Sequence, residues 1–113
     1  MSDLTKKPEP HYGPIYAAAM YPELAQIARS HGYALAVHGS LARDLDIIAI
    51  PWVEDAGEPQ AIINDILEKF AVTLVGEIGH KPHGRTAYTL SIGWGHCAID
   101  IQFMPKLMRN ANN

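Results

Sequence analysis

Residues 33–52 read YALAVHGSLARDLDIIAIPW. Two apolar runs, 33–37 without a charge and 45–52 rich in isoleucine, flank a short polar stretch that holds Gly39, Ser40, Arg43 and Asp44. Each run has the length of a strand, and its apolar content suits burial on both faces.

The elements on either side follow from spacing. Over 14–31, alanines together with Ile15, Met20, Leu24, Ile27 and Ala28 recur at roughly helical intervals. Pro22 is expected to open a new helix at its first turn, and Gly32 to end it, because glycine accepts the positive φ of a helix stop. After the second run, 55–58 offers capping groups, Pro59 suits a first turn, and Ile62, Ile63, Ile66, Leu67 and Phe70 fall on one helical side. Residues 72–78, 85–92 and 96–104 read as three further strands, with Gly93-Trp94-Gly95 as a tight antiparallel connection between the last two. Between the first two of these lies GHKPHGR, 79–85, a basic glycine-bounded loop. The order α-β-β-α-β-β-β predicts an α/β chain of the α+β kind: a two-layer sandwich whose mixed, mostly antiparallel five-stranded sheet carries its helices on one face. One domain is expected over 14–105, with a flexible leader at 1–13 and a flexible tail at 106–113.

Composition narrows the class. With 113 residues the chain has room for one modest core. Charged residues make up 19%, below the usual ~25%, so many side chains must be buried. A net charge of −3 and a pI near 6.0 give no sequence-wide attraction to phosphate backbones, which argues against general nucleic-acid binding. The single cysteine, Cys97, rules out an internal disulfide framework, suits a reducing compartment and makes the cytoplasm the expected location. Its place in an apolar strand is that of a small buried thiol. Apolar stretches such as 15–21 fall far short of the roughly 20 residues that span a bilayer, so no membrane partner is expected.

Chemistry concentrates around the acids. Asp44 and Asp46 alternate with apolar residues at the start of a strand, so both carboxylates project from one face, about 7 Å apart along the chain. Two acids so placed repel each other until a cation, an arginine or solvent relieves them, and hard oxygen ligands suit magnesium or manganese. Asp100 is the one acid in the apolar run 97–104, sharing a face with Ala98 and Gln102 rather than with Ile99, Ile101 and Phe103. It needs a partner, either a metal or an arginine such as Arg43 or Arg85. In His38-Gly39-Ser40 the glycine allows close backbone approach, and the serine offers a hydroxyl and an amide to a phosphate. The loop bearing His80, Lys81, His83 and Arg85 carries groups suited to an anion, and an exposed turn would read the same way. The histidines His38, His80, His83 and His96 raise the question of zinc, but no His-Glu-x-x-His or paired-cysteine spacing accompanies them.

Taken together, Val37-His38-Gly39-Ser40, then Asp44-Leu45-Asp46 opening an apolar strand, then Asp100 in a later one, resemble the nucleotidyltransferase superfamily related to DNA polymerase beta. The resemblance covers roughly 33–104, and small phage and prophage proteins share the stretches HGSLARDLD and KPHGR. It implies a nucleotidyltransferase that binds a nucleoside triphosphate through two divalent ions, Mg2+ or Mn2+, and transfers a nucleotidyl group to an acceptor. Asp44, Asp46 and Asp100 would be the catalytic metal ligands, with Gly39 and Ser40 on the triphosphate and Arg43, Lys81 and Arg85 as further nucleotide contacts. The family usually separates Gly-Ser from Asp-x-Asp by a longer segment than Leu41-Ala42-Arg43, and its larger members add a helical region that this chain lacks. Those departures point to a protein partner or a homo-oligomer that completes the site, or to an inactive binding or accessory module on the same fold.

Overall fold

The computed structural model describes residues 13–91 and 98–107. In chain order the elements are α1 (Gly13–Ser30), β1 (Tyr33–His38), β2 (Leu45–Pro51), α2 (Pro59–Lys69), β3 (Thr73–Lys81), β4 (Arg85–Ser91) and β5 (Ala98–Phe103). The five strands form one sheet in the order β1-β2-β5-β4-β3. β2 and β5 run parallel, and the other three neighbouring pairs are antiparallel. The architecture is therefore the two-layer α+β sandwich with a mixed sheet that the order of elements predicts.

Alternation along the strands places the core. In β5, Ile99, Ile101 and Phe103 are buried while Ala98, Asp100 and Gln102 are only partly so, and β2 repeats the pattern with Leu45, Ile47 and Ala49 inside. These side chains pack with Leu24 and Ala28 of α1 and with Ile62, Ile63 and Ile66 of α2 in one apolar cluster. Phe103 stands at its centre, edge-on to both Tyr33 and Tyr88 at 5.6 Å between ring centroids. The Tyr33 hydroxyl leaves the cluster to donate to the Gly57 carbonyl at 2.8 Å, so its buried oxygen is satisfied. Pro59 opens α2 directly after Glu58, where a missing N–H costs nothing.

Several sequence expectations need correction. The two apolar runs are buried on one face, because helices cover only one side of the sheet; Ala34, Ala36 and Ile50 are exposed. Pro22 does not start a new helix: α1 continues through it. The carbonyl that would have bonded the proline nitrogen belongs to Ala18, which is exposed like Pro22 itself, so water can replace the lost bond. The basic stretch 79–85 is mostly strand, since β3 runs to Lys81 and only the 3-10 turn Pro82–Gly84 separates it from β4. Gly32 does follow the end of α1, at φ +87, but tertiary packing also demands it, as a Cβ there would meet Val53 Cγ2 at 2.6 Å.

The expected leader, most of the tail, the Gly93-Trp94-Gly95 connection, His96 and Cys97 lie outside the described residues. Among the described residues no helix is long and apolar enough to cross a membrane.

Candidate functional site

The helix-free face of the sheet carries the acids. Strand pairing sets His38 opposite Asp46, Asp46 opposite Asp100, and Asp100 opposite Thr89. Residues paired across neighbouring strands share a face and lie about 5 Å apart, so these four side chains form one row across β1, β2, β5 and β4. The apolar neighbours Leu45, Ile47, Ile99 and Ile101 turn the other way into the core, which is what holds both carboxylates on the open side.

The row is hydrogen-bonded and electrostatically tense. The Thr89 hydroxyl donates to Asp100 Oδ1 at 2.8 Å. Burial first, and then the charge of Asp100, push the Asp46 carboxyl above its ordinary range; Asp44 adds to this, His38 opposes it, and a hydrogen bond with Asp100 favours the protonated form. The two carboxyl groups stand close enough to repel, and a cation between them could relieve that repulsion.

Gly39 closes in from the end of β1. Its φ is +76, and a Cβ at this position would lie 2.7 Å from Asp46 Oδ2, so both backbone conformation and space require glycine. In the loop that follows, Leu41 also takes a positive φ of 58, and the Ala42 N–H donates to Ser40 Oγ at 3.3 Å. The serine's own hydroxyl proton stays available for an incoming acceptor. Ser40 and Arg43 are exposed on this loop.

Asp44 behaves differently from Asp46. Its Oδ1 accepts the Ala98 N–H at 2.9 Å, so it ties the start of β2 to the start of β5 with one oxygen. Gly39, Ser40, Asp44, Asp46 and Asp100 thus gather at one end of the sheet. Lys81 and Arg85 do not join them: Arg85 stands four residues before Thr89 on β4, about 13 Å along the strand. Its guanidinium donates to the Pro82 carbonyl at 3.1 Å and to Gln102 Oε1 at 3.2 Å, which braces the β3–β4 turn rather than Asp100. His80 and His83 lie at that distant end as well.

Among the described residues no three His, Cys, Asp or Glu side chains gather as a metal site. The donor set is a pair, Asp46 and Asp100, with Asp44 beside it. Further along the same face, Ile48, Ile50, Pro51, Met104, Pro105 and Leu107 line an apolar hollow of about 290 Å³. One participant escaped sequence reading, Thr89 as the donor to Asp100, while His38, singled out in the sequence, proves to be the cross-strand neighbour of Asp46. Thr89 has no signal in the sequence, because only the register of β4 against β5 sets it opposite Asp100. No protein-family model matches the chain, and no curated protein matches it.

Proposed function

We propose that this protein is a minimal nucleotidyltransferase-like domain that binds a nucleoside triphosphate with a divalent cation on the open face of its sheet. The observation that carries the reading is the Asp46–Asp100 pair, set side by side on parallel strands, with Gly39 leaving the space that a Cβ would take from the Asp46 carboxylate. Paired hard oxygen donors fit magnesium or manganese, and a cation there would relieve the repulsion that lifts the Asp46 carboxyl. Asp46 and Asp100 would hold it, with the second oxygen of Asp44 as the nearest further donor. When bound, such an ion supplies positive charge against the phosphates.

The chain's own residues bind and orient. Gly39 lets the backbone approach a phosphate, Ser40 donates its hydroxyl, and Arg43 on the same exposed loop adds positive charge. Thr89 holds the Asp100 carboxylate in place through Oδ1. The apolar hollow beside Ile48 and Ile50 offers a seat for the flat base.

Thermal unfolding with manganese and each nucleoside triphosphate tests this. Ligand at about a hundred times its dissociation constant adds roughly 2.7 kcal/mol. The expected outcome is a metal-dependent rise in Tm for the wild type that is absent in Asp46→Asn; equal behaviour of the two proteins would sink the reading.

One observation favours a second reading, an inactive binding or accessory module. Asp44 spends an oxygen on the Ala98 N–H, so the triad implied by the resemblance is reduced to a pair. That reading predicts binding of a protein partner without turnover: no pyrophosphate leaves the triphosphate with any acceptor tested.

A further inference from the structure

The apolar hollow on the open face continues the acid row along the same two strands. Ile48 and Ile50 follow Asp46 at alternate positions of β2, and Gln102 follows Asp100 on β5, with Met104 just past its end. Alternation keeps them on the helix-free side. Ile48 stands about 7 Å and Ile50 about 13 Å from Asp46 along the strand. A ribose with its α-phosphate bridges a gap of that order, so a triphosphate held at Asp46 and Asp100 carries its base over the isoleucines.

The lining is uniform in chemistry. Ile48, Ile50, Pro51, Met104, Pro105 and Leu107 bring hydrocarbon and one thioether, and no side-chain donor. Their backbone donors are nearly used up as well. Pro51 and Pro105 have no N–H. The Met104 N–H donates to the Ala49 carbonyl at 2.9 Å. Ile48 and Ile50 spend theirs on β1: the Trp52 N–H bonds the Gly32 carbonyl at 3.0 Å, and bonded pairs alternate from there to Ile50 with Ala34 and Ile48 with Ala36. Leu107 is 48% exposed, so water competes for its N–H. The side-chain amide on this face, Gln102, stands opposite Ile48, and its Oε1 already accepts from the Arg85 guanidinium at 3.2 Å.

This chemistry limits what the seat can distinguish. A site that hydrogen-bonds a substrate group rejects the analogue lacking it by about 10⁴- to 10⁵-fold, because its own buried polar groups are then left unpaired. An apolar wall has no such groups to strand. There a difference of one methylene is worth about 10- to 200-fold in an enclosed pocket, and less on an open face such as this one.

We infer that the site takes nucleoside triphosphates without regard to the identity of the base. It selects the triphosphate and the bulk of a flat ring, favouring purines over pyrimidines by contact area alone and treating adenine and guanine alike. The inference rests on the nucleotide reading and adds the substrate class to it.

Calorimetric titration of the full chain with manganese and ATP, GTP, CTP or UTP, and with manganese and inorganic tripolyphosphate, provides the test. ATP and GTP should bind within about 3-fold of each other, all four nucleotides within about 10-fold, and each of them tighter than tripolyphosphate. Ile50→Ala should shrink the advantage of every nucleotide over tripolyphosphate by about 5-fold, alike for the four bases. Ile50 is 44% exposed, so the substitution leaves the core intact, and Leu107→Ala repeats the measurement outside the sheet. A preference for one base beyond the 10-fold range overturns the inference while the nucleotide reading stands, and Gln102→Leu then shows whether that amide reads the base. Nucleotides that bind no tighter than tripolyphosphate also overturn it, as does an advantage unchanged in both variants, since the base then lies elsewhere. Failure of all five ligands to bind overturns the nucleotide reading together with the inference.

Discussion

The covered and open faces of the sheet are made by alternate residues of the same strands, and β5 shows the contrast within six positions. Ile99, Ile101 and Phe103 are at most 1% exposed against the helices, while Asp100 and Gln102, one residue away in each case, stand half-buried on the other side. The covered face is held by apolar area and close packing. The open face is held by few specific bonds and contains a pair of acids that repel. Stability and candidate chemistry are thus divided between the two sides of a single sheet, and a substitution should act according to its face.

The sharpest test of that division takes neighbours in one strand. Phe103→Ala should cost about 3–5 kcal/mol in urea unfolding, since it empties the site between Tyr33 and Tyr88. Gln102→Ala, losing only the contact with Arg85, should cost about 1 kcal/mol or less. Similar costs for the two would break the comparison.

Gly39→Ala comes next in size. A positive φ and a Cβ placed 2.7 Å from Asp46 Oδ2 should together cost about 1–3 kcal/mol and displace the Asp46 carboxylate. Gly76→Ala, at a positive φ with nothing within 4 Å of the added Cβ, gives the baseline for backbone cost alone in the same unfolding experiment.

On the open face the sign should reverse. Asp46→Asn removes one of two repelling acids and should stabilise the metal-free protein at neutral pH by about 0.5–1 kcal/mol, a small figure because the group is partly solvated. The pH dependence follows. The native Asp46 carboxyl is held above its unfolded value, so its contribution to stability is complete below pH ~4 and is lost as pH rises through the native value. Between about pH 4 and 7 the urea midpoint of the wild type should therefore fall relative to that of Asp46→Asn. A wild-type midpoint that rises relative to the variant over this range would show that the pair is not tense. Thr89→Val, which deletes the donor to Asp100 Oδ1, should cost about 1 kcal/mol in the same unfolding experiment.

Much of the architecture was legible because it depends on local periodicity. The isoleucines of α2 fall on one helical side, and the alternation in 97–104 separates Asp100 from its apolar neighbours on spacing alone. What misled was context. Pro22 is a breaker by local rule, yet a solvent-facing turn tolerates it. The stretch 79–85 reads as a basic loop, yet pairing with β4 draws it into strand, because Lys81 opposite Arg85 leaves only three residues for the turn. Uninterrupted apolar runs look buried on both faces when only the presence or absence of a second helical layer can decide the matter.

The sequence by itself determined the order of the elements and the residue types at the acidic end of the sheet, since spacing and chemistry are properties of neighbours along the chain. Only tertiary structure decided that Asp46 and Asp100 are partners, that Asp44 is tied to Ala98, that Arg85 is spent on the β3–β4 turn, and that β1 is left at an edge. Each of those facts is a matter of strand order and register, which pair residues as far apart as Asp44 and Ala98 and are settled by how one apolar face packs beneath two helices.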